Sequence, residues 1–140
     1  MRQEPQNSPR GLTAVAAFLF FGAAMASLAA TTLIFPGTFL DRAWRLIPVA
    51  YAQLSPLGPP IGIGFSLLAV ALAAAAIGWL RRRRWGWVLA VIIIAIQIVG
   101  DVANLLRGDV LKGSVGVAIA GALLFYMTCR EVRVAFGVPR

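Results

Sequence analysis

Four long apolar stretches separated by short charged ones set the pattern of the chain. Leu12 to Phe35 is 24 residues without a charge, Ile61 to Leu80 is 20, and Trp85 to Leu106 is 22 interrupted only by Asp101. Gly113 to Cys129 adds 17, a full span once Val110 and Leu111 join it and Lys112 extends its ammonium to the surface. A helix rises about 1.5 Å per residue, so about 20 residues cross the roughly 30 Å of hydrocarbon in a bilayer. The pattern predicts an all-α membrane protein with four transmembrane helices, at 12–35, 61–80, 85–106 and 110–129, in an up-down bundle.

The connection between the first two spans has a pattern of its own. Thr38 and Asp41 have capping-box spacing, and Leu40, Trp44, Ile47, Tyr51 and Leu54 follow at i, i+4, i+7, i+11 and i+14. That draws one apolar stripe, with Asp41, Arg42, Arg45 and Gln53 off it, and predicts an amphipathic interfacial helix over 38–54 anchored by Trp44 and Tyr51. Pro48 is expected to kink it. A sharper reading makes the same segment a lid over a site between the spans.

Composition agrees with the pattern and removes several chemistries. Of 140 residues, 60% are hydrophobic and 13% charged, against about 25% charged in a soluble domain. There is no His and a single Cys, so a Ser-His or Cys-His pair, a His-ligated metal and an intrachain disulfide are ruled out. No cofactor or metal is expected. The net charge of +8 would suggest nucleic acid in a soluble chain, but here its placement assigns it to topology. With the Arg81-Arg82-Arg83-Arg84 turn inside, nine basic residues are inner (Arg2, Arg10, the quartet, Arg130, Arg133, Arg140) and four are outer (Arg42, Arg45, Arg107, Lys112). The positive-inside rule then puts both termini in the cytoplasm of an inner (cell) membrane. Residues 1–11 read as a disordered cytoplasmic tail and 130–140 as a second tail. Trp79, Trp85 and Trp87 flank the quartet at the level of an inner aromatic belt. Arg2 and Arg10 ahead of an apolar run have the layout of a secretory signal, but 24 residues exceed the about 7–15 of a signal core.

Candidate chemistry gathers in the third span. Gln97, Asp101 and Asn104 stand at i, i+4 and i+7 on one face, with Asp101 about 24 Å from the inner interface, one to two turns below the outer surface. A carboxylate there is expected to face the bundle and to have partners. Thr31 and Thr32, Ser66 and Ser114 lie at the same level, with Lys112 and Arg107 at the mouth, and together they suggest one polar pocket opening outward. The plainer account pairs Asp101 with Lys112 or Arg107 and the hydroxyls to lock the fourth helix. Arg81, Arg82, Arg83 and Arg84 serve as a topogenic turn and also attract anionic lipid. Cys129, at the inner end of the fourth span, is a palmitoylation position or a small apolar filler. Small residues at packing intervals (Gly22, Ala26 and Ala30; Ala69 and Ala73; Ala74 and Gly78; Gly116 and Ala120; Ala118 and Ala122) fit contacts within the chain or in a homo-oligomer.

Three functional classes follow. One is a non-catalytic accessory or structural subunit that packs on other membrane helices in a larger complex. Another is an oligomeric transporter or channel for a small solute, ion or lipid with an outward-facing site around Asp101. The third, an enzyme on lipid, lacks a general acid and base pair, so no enzymatic activity is expected.

Overall fold

The computed structural model describes residues 11–39, 42, 52, 56 and 58–139. The described chain is all α-helical, with five helices: α1 (Gly11–Ile34), α2 (Gly58–Leu80), α3 (Arg84–Leu106), α4 (Val110–Thr128) and a short α5 (Arg130–Ala135). The first four are long and apolar enough to cross a bilayer, which makes this a multi-pass membrane protein. The interfacial helix read over 38–54 falls almost wholly outside the described residues, as do residues 1–10. Within reach are a turn at Thr38, whose hydroxyl donates to Phe35 O at 2.8 Å, and Arg42, whose guanidinium lies 5.4 Å from the centre of the Phe39 ring.

The chain divides into two compact units. One comprises residues 19–73, the long C-terminal part of α1 and the first part of α2. Its two helix segments run antiparallel: Gly22 faces Leu72, and at the other end Gly62 faces Leu33 and Ile34. Ala23, Ala26, Ala29 and Ala30 are buried on α1, with Ala69 and Leu72 on α2. The small-residue ridge of the first span is the packed face, as expected where close backbone approach drives association in lipid.

The other unit comprises residues 1–18 and 74–140. Here α2 turns into α3 and α3 into α4, each pair antiparallel. At the first hairpin the backbones touch: a Cβ on Gly78 would come within 2.7 Å of Gly86 Cα. At the second, a Cβ on Gly113 would come within 2.7 Å of Leu105 N and 2.8 Å of Asp101 O. Trp79, 1% exposed, donates its indole N–H to Leu12 O at 2.9 Å, and Trp87 donates to Met127 O at 2.9 Å. Tyr126 packs its ring against Gly11. Of the three tryptophans assigned to the inner belt, only Trp85 is exposed. Trp79 and Trp87 instead tie helix ends together: the Trp87 indole N–H meets a carbonyl in the last turn of α4, where C=O groups lack an intrahelical partner, and the Trp79 N–H meets one in the first turn of α1.

Three helix ends close with the same pair of hydrogen bonds. After α2, Arg83 N–H reaches Gly78 O at 2.9 Å and Arg82 N–H reaches Trp79 O at 3.0 Å. After α3, Asp109 and Gly108 donate to Asn104 O and Leu105 O, and after α5, Val138 and Gly137 donate to Arg133 O and Val134 O. These are Schellman motifs, which place a left-handed residue just past the helix. Gly108 (φ 98°) and Gly137 (φ 62°) fill that position without strain, but in the arginine turn Arg82 does so at φ 51°. Arg82→Gly is therefore expected to stabilise the fold by about 0.5–1 kcal/mol, the left-handed strain relieved less the extra chain entropy of glycine. Thermal unfolding in detergent checks this, and a lowered midpoint would refute it.

The segment from Arg130, read from the sequence as a tail, begins with α5. Val132 and Phe136, at i and i+4, are 1% and 2% exposed, and the Phe136 ring lies 4.6 Å from that of Trp79. The segment therefore clips onto the end of its own unit.

Candidate functional site

Asp101 lies five residues before the end of α3, on the face turned to α4. At 8% exposure it is buried, as an acid within a span must be to avoid lipid. Glycine at 116 makes this possible. A Cβ at that position would stand 2.5 and 2.6 Å from the two Asp101 carboxyl oxygens, so the carboxyl group occupies the volume a side chain would otherwise fill. Gly113, one turn earlier, does the same for the backbone of α3. Together they let α4 seat directly on the Asp101 turn.

The hydrogen-bonding partner of the carboxylate is the Gln97 amide, with Nε2 at 3.3 Å from each oxygen. Gln97 is one turn back on the same helix, so its amide reaches Asp101 whatever the neighbouring helix does. The expected pairing of Asp101 with Lys112 or Arg107 is not seen. Among the described residues neither Lys112 nor Arg107 pairs with Asp101, and Lys112, Asn104 and Ser114 are exposed. The Ser114 hydroxyl donates to Val110 O at 2.5 Å, within its own helix. Gln97, Asp101 and Gly116 thus form one cluster in the α3–α4 hairpin.

Of the other hydroxyls expected at the same level, Thr31, Thr32 and Ser66 belong to the unit of residues 19–73. Ser27, Thr31 and Ser66 line an open groove of about 500 Å³ with Ala30, Ala69 and Ala73. Their protons are committed: Ser27 donates to Ala23 O at 2.8 Å, Thr31 to Ser27 O at 2.8 Å and Ser66 to Gly62 O at 3.1 Å. Thr32, 2% exposed, donates to Leu28 O and Ala29 O, both at 3.0 Å. The oxygens facing the groove therefore act as acceptors, on walls of small apolar side chains.

No family model, curated protein or solved structure matches this chain. The chemistry must be read from the side chains alone. Among the described residues no group of three His, Cys, Asp or Glu side chains is placed to hold a metal ion. The α3–α4 cluster holds a single carboxylate with a neutral amide donor. Such a pair can anchor helix packing or exchange a proton, but it does not provide the separate acid and base of a hydrolytic site. The arginine quartet is exposed at the α2–α3 turn, where its charges face water or headgroups. The position that sequence reasoning missed is Gly113. Its spacing of three from Gly116 was the available signal.

Proposed function

We propose that this chain is a small inner-membrane protein without catalytic machinery, an accessory or structural subunit that packs on other membrane helices, with both termini cytoplasmic. The observation that carries the reading is the seating of Asp101: the one carboxylate within the four spans is buried against Gly116 and held by Gln97. A group so placed serves helix packing. The open groove lined by Ser27, Ala30, Thr31, Ser66, Ala69 and Ala73 supports the same reading, because small side chains let a further helix approach closely. The orientation rests on the nine inner against four outer basic residues.

The second reading, an oligomeric transporter or channel, is favoured by one fact. Asp101 has no cationic partner among the described residues, and a buried carboxylate without a counter-ion is the kind of group that takes up a proton or cation. Asp101→Asn separates the two readings. The amide keeps the shape of the side chain and an oxygen for Gln97 while the charge is lost. The expected result is an unfolding midpoint within a few degrees of the native protein, unchanged recovery of partner chains in mild detergent, and no change in liposome flux. A homo-oligomer with no other chain attached, together with flux abolished by Asp101→Asn, would replace the accessory reading with the transporter.

A further inference from the structure

The short helix α5 starts one residue after a 19-residue span, which at about 1.5 Å per residue measures about 28 Å, so α5 lies at the depth of the headgroups. Val132 and Phe136 bury its apolar face, and the Schellman turn at Gly137 folds the following residues back on it. The fold-back creates a pocket of about 400 Å³ lined by Arg130, Arg133, Val134, Val138 and Pro139.

Two basic side chains open into this space, and a third stands beside it. Arg133 donates an Nη N–H to Pro139 O at 2.7 Å, which fixes the guanidinium plane, while its Nε is closed off from solvent and has no acceptor among the described residues. Arg84 lies along Gly137, where a Cβ would meet its Nε and Nη2 at 3.5 Å. Arg130 and Arg133 line the pocket with Arg84 beside it, and guanidinium charge gathered at one place suits an anion. The other walls are two valines and a proline, so the pocket offers fixed N–H donors next to hydrocarbon.

We propose that this pocket binds an anionic phosphate group, presented by a lipid headgroup or as free phosphate, with Arg130 and Arg133 as its direct ligands and Arg84 adding charge. The guanidinium fork matches phosphate oxygens in pairs, and the valine and proline walls suit the glycerol and acyl carbons of a phosphodiester lipid. The pocket shares Arg84 with the exposed arginine turn but none of Arg81, Arg82 and Arg83 lines it, and the attraction of such a turn for anionic lipid needs no pocket. It goes beyond the accessory reading and does not depend on it.

The test is native mass spectrometry of the detergent-purified protein titrated with phosphatidylglycerol, phosphatidylcholine or inorganic phosphate. At about 0.5 M salt, exposed charges are screened within a few ångströms. Phosphatidylglycerol is expected to stay bound while phosphatidylcholine does not. Arg130→Gln and the charge-conserving Arg133→Lys should each weaken binding about tenfold, the loss of a charge-assisted hydrogen bond, and Arg81→Gln in the exposed turn by less than about twofold. Inorganic phosphate that displaces the lipid with the same variant sensitivity supports the phosphate site and identifies the free anion as a ligand. Equal weakening by all three variants, or equal retention of both lipids, overturns the proposal. Arg130 is exposed and its variant is expected to fold, so if Arg133→Lys does not, Arg130→Gln against Arg81→Gln decides.

Discussion

Gly86→Val is expected to unseat the α2–α3 hairpin and to lower stability by about 3 kcal/mol or more, the upper end for overpacking. A Cβ at position 86 would stand 2.5 Å from Gly78 Cα and 2.7 Å from Trp79 N. Both are backbone atoms, so no side-chain rotation relieves the clash and the helices themselves must separate. Gly78→Val meets the same barrier from the other side, with Gly86 Cα at 2.7 Å and the Trp85 ring at 2.8 Å. Separation also carries Trp79 away from Leu12 O and Phe136, so one displaced pair of glycines loosens the start of α1 and the clip formed by α5. Thermal unfolding in detergent, with tryptophan emission as a second reporter, measures the effect. Val88→Ala on the exposed face of the same helix is the control, expected to stay within about 0.5 kcal/mol. A Gly86→Val protein as stable as the native one would show that the backbones do not meet there.

Such contacts explain which parts of this structure the sequence discloses. The spans are legible because lipid imposes a one-dimensional rule, a run of uncharged residues of fixed length, and the helices follow the runs closely; α2 differs most, starting at Gly58 rather than at 61. Gln97 and Asp101 are legible as neighbours because helical spacing alone places them. The partner of Asp101 on the next helix is another matter. It depends on how α3 and α4 are rotated about their axes, and nothing in either run of residues fixes that rotation. Gly116 was visible as one of several small residues, but not as the one the carboxyl group occupies. Trp79 shows the same limit: its position beside a basic turn fits a belt residue, whereas its orientation depends on the Leu12 carbonyl brought up from the other end of the chain. The helix α5 escaped notice because six residues are too few for a period; the i, i+4 pair Val132 and Phe136, closed by Gly137, was its only trace.

Gly113→Ala and Gly116→Ala are expected to differ, and the difference tests the structural role of Asp101. At 113 the new methyl group would meet Leu105 N at 2.7 Å, Asp101 O at 2.8 Å and Leu105 Cα at 2.9 Å, all backbone, so α4 must move off α3. At 116 the three atoms nearest to it would be those of the Asp101 carboxyl group, the end of a short side chain that can turn away at the cost of its bond to Gln97. Gly113→Ala is therefore expected to cost about 2–3 kcal/mol and Gly116→Ala about 1–2 kcal/mol, within the range for overpacking. Adding Asp101→Ala empties the space in conflict at 116 but leaves the backbone at 113 untouched. The double variant Gly116→Ala with Asp101→Ala should thus recover at least half of the Gly116→Ala loss, whereas Gly113→Ala with Asp101→Ala should recover none. The cycle isolates the pairwise contact, since a gain common to both backgrounds cancels. Unfolding midpoints of the five variants in one detergent give every term. Equal recovery at both positions would mean that the carboxyl group is not seated on Gly116, and the packing role that supports the accessory reading would fall with it.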